Sequence, residues 1–210
     1  MADWATISAL ATAGGTLALA GVTLASVRSA NRAARVAEQS LLAAQRPLLV
    51  TARVDDPPQK VGFQDDVWFQ VAGAEAVVRA TDGVIYLAFP VRNVGTGIAL
   101  LHGWRLYPEF QVGRDARPTA VGDFTALTRD LYVAAGDAGF WQGSFRDPQR
   151  EDTRAARAAI EARRRLNVDL LYGDLEGGQR VISRFTLTPR EDNWYVSVGR
   201  HWNVDRPNPR

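Results

Sequence analysis

The sequence predicts a mainly β protein: an Ig-like antiparallel β-sandwich with one inserted helix, preceded by a long N-terminal transmembrane α-helix. Three observations predict it. Ala5 to Val27 are 23 residues without a charge. After Pro47 come nine or ten short apolar runs separated by turn residues. Residues 146–166 alone among them carry helix start and stop chemistry. The division expected is 1–46 for the helix and 47–210 for the β domain.

The uncharged run makes a helix of about 34 Å, against about 30 Å of bilayer hydrocarbon. Trp4 precedes it, where an indole sits at headgroup level. Arg28, Arg32 and Arg35 follow it, placed to hold anionic headgroups, with only Asp3 and the amino terminus before it. The positive-inside rule then puts the N-terminus outside and residues 47–210 in the cytoplasm. A cleaved signal peptide would need a positive leader and a shorter apolar core, and "MADW" supplies neither.

Nine of the 23 residues are Gly, Ser or Thr and seven more are Ala, so the span is only weakly lipophilic. Small residues let helix backbones approach. Ala11 and Gly15, Gly14 and Ala18, and Gly21 and Ala25 have that spacing. They point to contact with a second copy or with another membrane protein. Ala30, Ala34, Ala37, Leu41 and Ala44 continue one helical face beyond the span. Pro47 disfavours helix at Arg46 and ends the rod.

The β runs follow in order. "PLLVTARV" ends in the turn Asp55-Asp56-Pro57-Pro58. "KVGFQDDVWFQVAG" alternates through Phe63, Val67, Phe69 and Val71. "AVVRA" leads to an Asp82-Gly83 turn and "GVIYLAFPVRN", where Pro90 predicts an edge or bulge. "IALLHGWRLYP", a polar stretch near 111–123, "RDLYVAAG" and "GFWQGSF" come next. "NVDLLYGD", "QRVISRFTLTP" and "NWYVSVGRHW" close the domain. The inserted helix is expected to start at Asp147 (N-cap) and Pro148 (N1), with Glu151 and Asp152 in its first turn. Arg163, Arg164 and Arg165 should fill its last turn, and Ala156, Ala159 and Ile160 its buried stripe.

"RNVGTGIALLHGW" has two of the three glycines of a dinucleotide fingerprint, but Leu100 stands at the third position. A strand, not a helix, follows. Asn93, Gly95 and Gly97 therefore read as a structural turn or a close backbone approach. This stretch, with "LLYGDLEGGQR", resembles paired β segments of uncharacterised bacterial single-span membrane proteins. The matching pattern is N-x-G-x-G-x-A at Asn93, Gly95, Gly97 and Ala99. The resemblance implies architecture, and it brings no catalytic residues.

Composition narrows the chemistry. There is no cysteine, which excludes disulfides and thiol catalysis. The net charge of +2 creates no field for nucleic acid. Lys60 is the only lysine among 25 cations, a bias that suggests a GC-rich, bacterial coding sequence. Ser144 lacks a nucleophile elbow. The doublets Asp55-Asp56, Asp65-Asp66 and Glu191-Asp192 point to opposite faces and make poor acid/base pairs. No metal or cofactor is expected.

Three function classes follow. The first is a non-enzymatic, inner-membrane-anchored interaction or scaffold module. The second is a carbohydrate or small-ligand binder that uses Trp68, Trp104, Trp141, Trp194 and Trp202. The third is a hydrolase in which His102 or His201 meets an aspartate. A buried tryptophan set favours the first, and an exposed row favours the second.

Overall fold

The computed structural model describes residues 3–81, 83–111 and 116–208. Asp82 of the expected turn and residues 112–115 of the polar stretch lie outside them. The chain forms two compact units, Met1–Ala43 and Ala44–Arg210. The first is one helix, α1 (Trp4–Ala44), which ends shortly before Pro47.

The second unit is mainly β. Its strands are β1 (Leu49–Thr51), β2 (Gln59–Gly62), β3 (Trp68–Val71), β4 (Glu75–Ala80), β5 (Ile85–Asn93) and β6 (Ala99–Tyr107). A 3-10 turn (Val121–Asp123) precedes β7 (Thr125–Val133) and β8 (Ala138–Phe145). Helix α2 (Glu151–Glu161) leads to β9 (Leu166–Gly173), β10 (Val181–Arg190) and β11 (Asn193–Asn203). Nine strands make one antiparallel sheet, in the order β1-β5-β4-β11-β10-β9-β6-β7, with β8 on the other side of β5. The sheet curls until β7 and β8 face each other: Arg129 Nη2 of β7 donates to Gln142 Oε1 of β8 at 2.7 Å. β2 and β3 form a separate hairpin. "KVGFQDDVWFQV" is thus two strands, folded back at Asp66, whose φ is 58°.

β5 is buried on both faces, which explains its unbroken apolar run. Ile85, Leu87, Phe89 and Val91 face the main core inside the curl. Tyr86 and Ala88 face outward, beneath Val61, Phe63 and Val71 of the hairpin. Pro90 fits through register. Asn93 N donates to Asp137 O next to β8, and Val94 N donates to Leu48 O next to β1. Even-numbered β5 residues therefore point their N–H away from β8. Pro90 falls between the end of the β1 ladder, at Val91, and the start of the β4 ladder, where Val77 is opposite Ala88, so the missing donor costs nothing.

β9 is buried throughout although it contains Asn167 and Asp169. Its inward residues Leu166, Val168, Leu170 and Tyr172 join the core. Its outer face lies under the β6–β7 connection. Arg184 of β10 pairs with Asp169 there, through Nε at 2.6 Å and Nη2 at 2.7 Å. The guanidinium also holds Gln111 Oε1 at 3.2 Å and Arg117 O at 3.1 Å, and Thr119 donates to Asp169 at 2.8 Å. Tyr107 and Trp202 stack on Arg184. One buried ion pair thus straps a polar loop onto the sheet.

Helix α2 starts later than the sequence suggests. Arg150 is its N-cap, with no side-chain cap bond. Asp147 Oδ1 instead accepts the Gln149 N–H at 2.9 Å, an Asx turn that uses up its capping capacity. The helix also ends before the arginine triplet. Arg163 has φ 47° and turns away, donating to Glu191 O and Asn193 O of the β10–β11 turn. Thr153, Ala156, Ala159 and Ile160 are its buried face.

Candidate functional site

α1 is the first candidate. Its 41 residues span about 61 Å. Ile7–Leu42 is long and apolar enough to cross a membrane: its most apolar 18-residue window has a mean hydropathy of 1.6, and none of that window is buried. The hydroxyls of Thr12, Thr16 and Thr23 donate to the carbonyls of Ser8, Thr12 and Leu19 at 2.8–2.9 Å. Such back-bonding removes an exposed donor from an apolar surface, which a helix in lipid requires. Ala11, Gly14, Gly15, Ala18, Gly21 and Ala25 recur every three or four residues and are all exposed. A Cβ on Gly14, Gly15 or Gly21 would meet nothing. Trp4 is exposed at the start, and Arg28, Arg32 and Arg35 are exposed after the apolar run.

The second candidate, within the β unit, is the socket where residues 44–48 enter the domain, and Asn93 is its hub. The Asn93 carboxamide oxygen accepts Leu48 N at 3.1 Å and Gly95 N at 3.0 Å; its NH2 donates to Gly97 O at 2.7 Å and Val133 O at 3.0 Å. All four hydrogen-bonding sites of the side chain are filled. Thr96 closes the other side: its N donates to Arg46 O at 3.2 Å and its hydroxyl to Ala44 O. The segment passes so close that a Cβ on Gly95 would sit 2.6 Å from Leu48 N, and one on Gly97 2.7 Å from Gln45 C. Positive φ occurs at Gly73, Gly136 and Gly177 instead, so close approach is what excludes a side chain here.

Behind the socket runs a buried polar chain that the sequence did not reveal. Leu49 N donates to Tyr172 Oη at 3.1 Å; Tyr172 Oη and Ser183 Oγ are 2.8 Å apart; Ser183 Oγ and His201 Nδ1 are 2.6 Å apart. Since Tyr172 accepts from Leu49, one orientation satisfies every member: Tyr172 donates to Ser183, and Ser183 donates to a neutral His201. Burial lowers the His201 pKa below its ordinary 6.5, and Arg46 adds to the effect. Burial pushes the Tyr172 phenol up to about 12. Arg46 also binds Asn203 Oδ1 of β11. Ser183 is fully buried, so this serine-histidine contact is a brace, with no access for a substrate.

The other candidates separate in space. Trp104, Trp141, Trp194 and Trp202 are buried, and only Trp68 of the β-domain set is exposed. The doublets do separate work at turns: Asp56 receives Arg53 N and Arg92, Asp65 receives Tyr86 and Arg146, and Glu191 turns the β10–β11 hairpin at φ 45°. The Arg146 and Tyr86 hydrogen bonds hold the Asp65 carboxyl below its ordinary range. His102, whose Nε2 is buried with no hydrogen-bond partner among the described residues, has its pKa lowered chiefly by burial. Cavities of about 420, 230 and 80 Å³ lie on the domain, and neither histidine lines any of the three. Among the described residues, no three His, Asp or Glu side chains gather as metal ligands. No known protein family, curated protein or solved structure matches the chain.

Proposed function

We propose that this is a non-enzymatic, membrane-anchored interaction module: α1 fixes it in the bacterial inner membrane, and the β domain meets partners from the cytoplasmic side. The observation that carries the reading is the exposed apolar helix, in which the Thr12, Thr16 and Thr23 hydroxyls are bonded within the helix itself. A helix apolar on every side has its solvent in lipid or in other helices. Anchoring raises the local concentration of the domain at the inner leaflet. In this reading the domain works as Ig-like sandwiches do, as a stiff frame whose edges and end loops bind. The face through Ala11, Gly14, Gly15, Ala18, Gly21 and Ala25 brings copies together or docks another membrane protein, and Trp4, Arg28, Arg32 and Arg35 lie at the headgroups.

Burial of four β-domain tryptophans supports this over the carbohydrate-binding reading. Burial of Ser183, with neither histidine lining the three described cavities, supports it over the hydrolase reading. The test is protease access to residues 47–210 in sealed, right-side-out vesicles. Protection supports the cytoplasmic placement, and digestion reverses it.

A further inference from the structure

We propose that the seam between β7 and β8 binds an extended acidic peptide as an added β-strand. The proposal rests on reading the domain as an interaction module and names where the partner binds. β7 and β8 are consecutive and joined by a short turn, the usual arrangement for a hairpin. They nevertheless form no ladder with each other: β7 pairs with β6, and β8 pairs with β5. The β5–β8 register shows which backbone groups are left over. Asn93 N donates to Asp137 O and Gly136 N donates to Asn93 O, so odd-numbered β8 residues bond toward β5. The N–H and C=O of Phe140, Gln142 and Ser144 face the seam instead.

β7 diverges on its own side. Leu101 is opposite Leu131, yet Gly103 is opposite Ala126, so residues 127–130 leave the ladder across from a single residue, His102. Two cavities, of about 80 and 230 Å³, occupy this region. They share Phe63, Thr128, Arg129 and Gln142, and so form one trough. Its inner end is lined by Trp104, Leu127 and Leu131, and its outer end by Trp68.

The chemistry selects the occupant. Free edges in native sheets are normally covered, and an added strand satisfies a row of alternating donors and acceptors along its length. The apolar end takes a branched side chain. Arg129 lines the trough, where its side chain donates to the neutral Gln142, and Lys60 stacks on Trp68 at the outer end; neither makes an ion pair among the described residues, which favours acidic side chains.

The test uses the full chain in detergent micelles and a fluorescein-labelled peptide that alternates valine with aspartate and glutamate. Fluorescence anisotropy should rise and saturate. A copy of the peptide N-methylated at alternate residues, unable to donate to the β8 edge, should bind at least about tenfold more weakly. Arg129→Glu, a change at an exposed side chain, should weaken the acidic peptide by about tenfold and spare a peptide with threonine in place of the acids. No saturable binding, or equal binding of the N-methylated copy, overturns the proposal. Membrane sedimentation of the same chain is read separately: if it persists while the peptide fails, only the seam is lost and the anchored module stands.

Discussion

The side-chain amide of Asn93 holds the backbone of Leu48, receiving its N–H at 3.1 Å while bonding Gly95, Gly97 and Val133 with its remaining capacity. One side chain thus joins the entering segment, the β5–β6 loop and the end of β7. Asn93→Ala orphans groups in all three. Each buried orphan costs about 1–3 kcal/mol, so the loss should reach at least about 3 kcal/mol. Urea unfolding of the variant in detergent reads it directly.

Gly97→Ala forces the domain to move backbone away from Gln45. Overpacking of this kind costs about 1–3 kcal/mol. Cleavage by a nonspecific protease near residues 45–48 should speed up. Gly122→Ala, where an added Cβ meets nothing, should leave both stability and cleavage within error of the parent.

Asp169 and Arg184 are 0% and 4% exposed. Arg184→Met leaves a buried carboxylate without its cation and also releases Gln111 and Arg117 from the strap. A loss of about 3–5 kcal/mol is expected. The double variant Asp169→Leu with Arg184→Met should recover part of it, since two apolar groups avoid the stranded charge. Thermal unfolding of the three chains gives the order.

Acid should weaken the domain before its carboxylates titrate. The folded pKa of His201 lies below the ordinary 6.5, so the unfolded chain takes the proton first as pH falls. This contribution to stability is intact above about pH 6.5 and declines as pH drops from there toward the folded value. His102 adds in the same direction. Protonated His201 would donate to Ser183, reverse the chain and leave the Tyr172 hydroxyl hydrogen without an acceptor. His201→Gln keeps an acceptor without a titration, so its unfolding midpoint should fall less between pH 7 and 5 than that of the parent.

Much of the fold is legible in the sequence because its strands carry their own punctuation. The helix ends near Pro47, and β5 carries an unbroken apolar run from Ile85 to Val91. Legibility fails where partners are distant. Nothing local marks Asp169 as half of a buried pair; β10 brings Arg184 beside it and the β6–β7 strap brings Thr119. Asp147 looks like an N-cap, but its own Gln149 N–H competes for it and wins. For the socket, the glycine spacing marks a close approach, yet nothing local says that residues 44–48 are what approaches. The seam is hidden for the opposite reason. "RDLYVAAG" and "GFWQGSF" read as consecutive β runs, and only the full sheet shows each committed to a different neighbour.

The most direct test of the anchor is the partitioning of the intact chain. After washing of a detergent-free lysate with high salt and alkaline carbonate, a chain with α1 in the bilayer stays in the membrane pellet and is released by detergent. Recovery of the full-length chain in the washed supernatant would contradict membrane insertion and remove the basis for the proposed function.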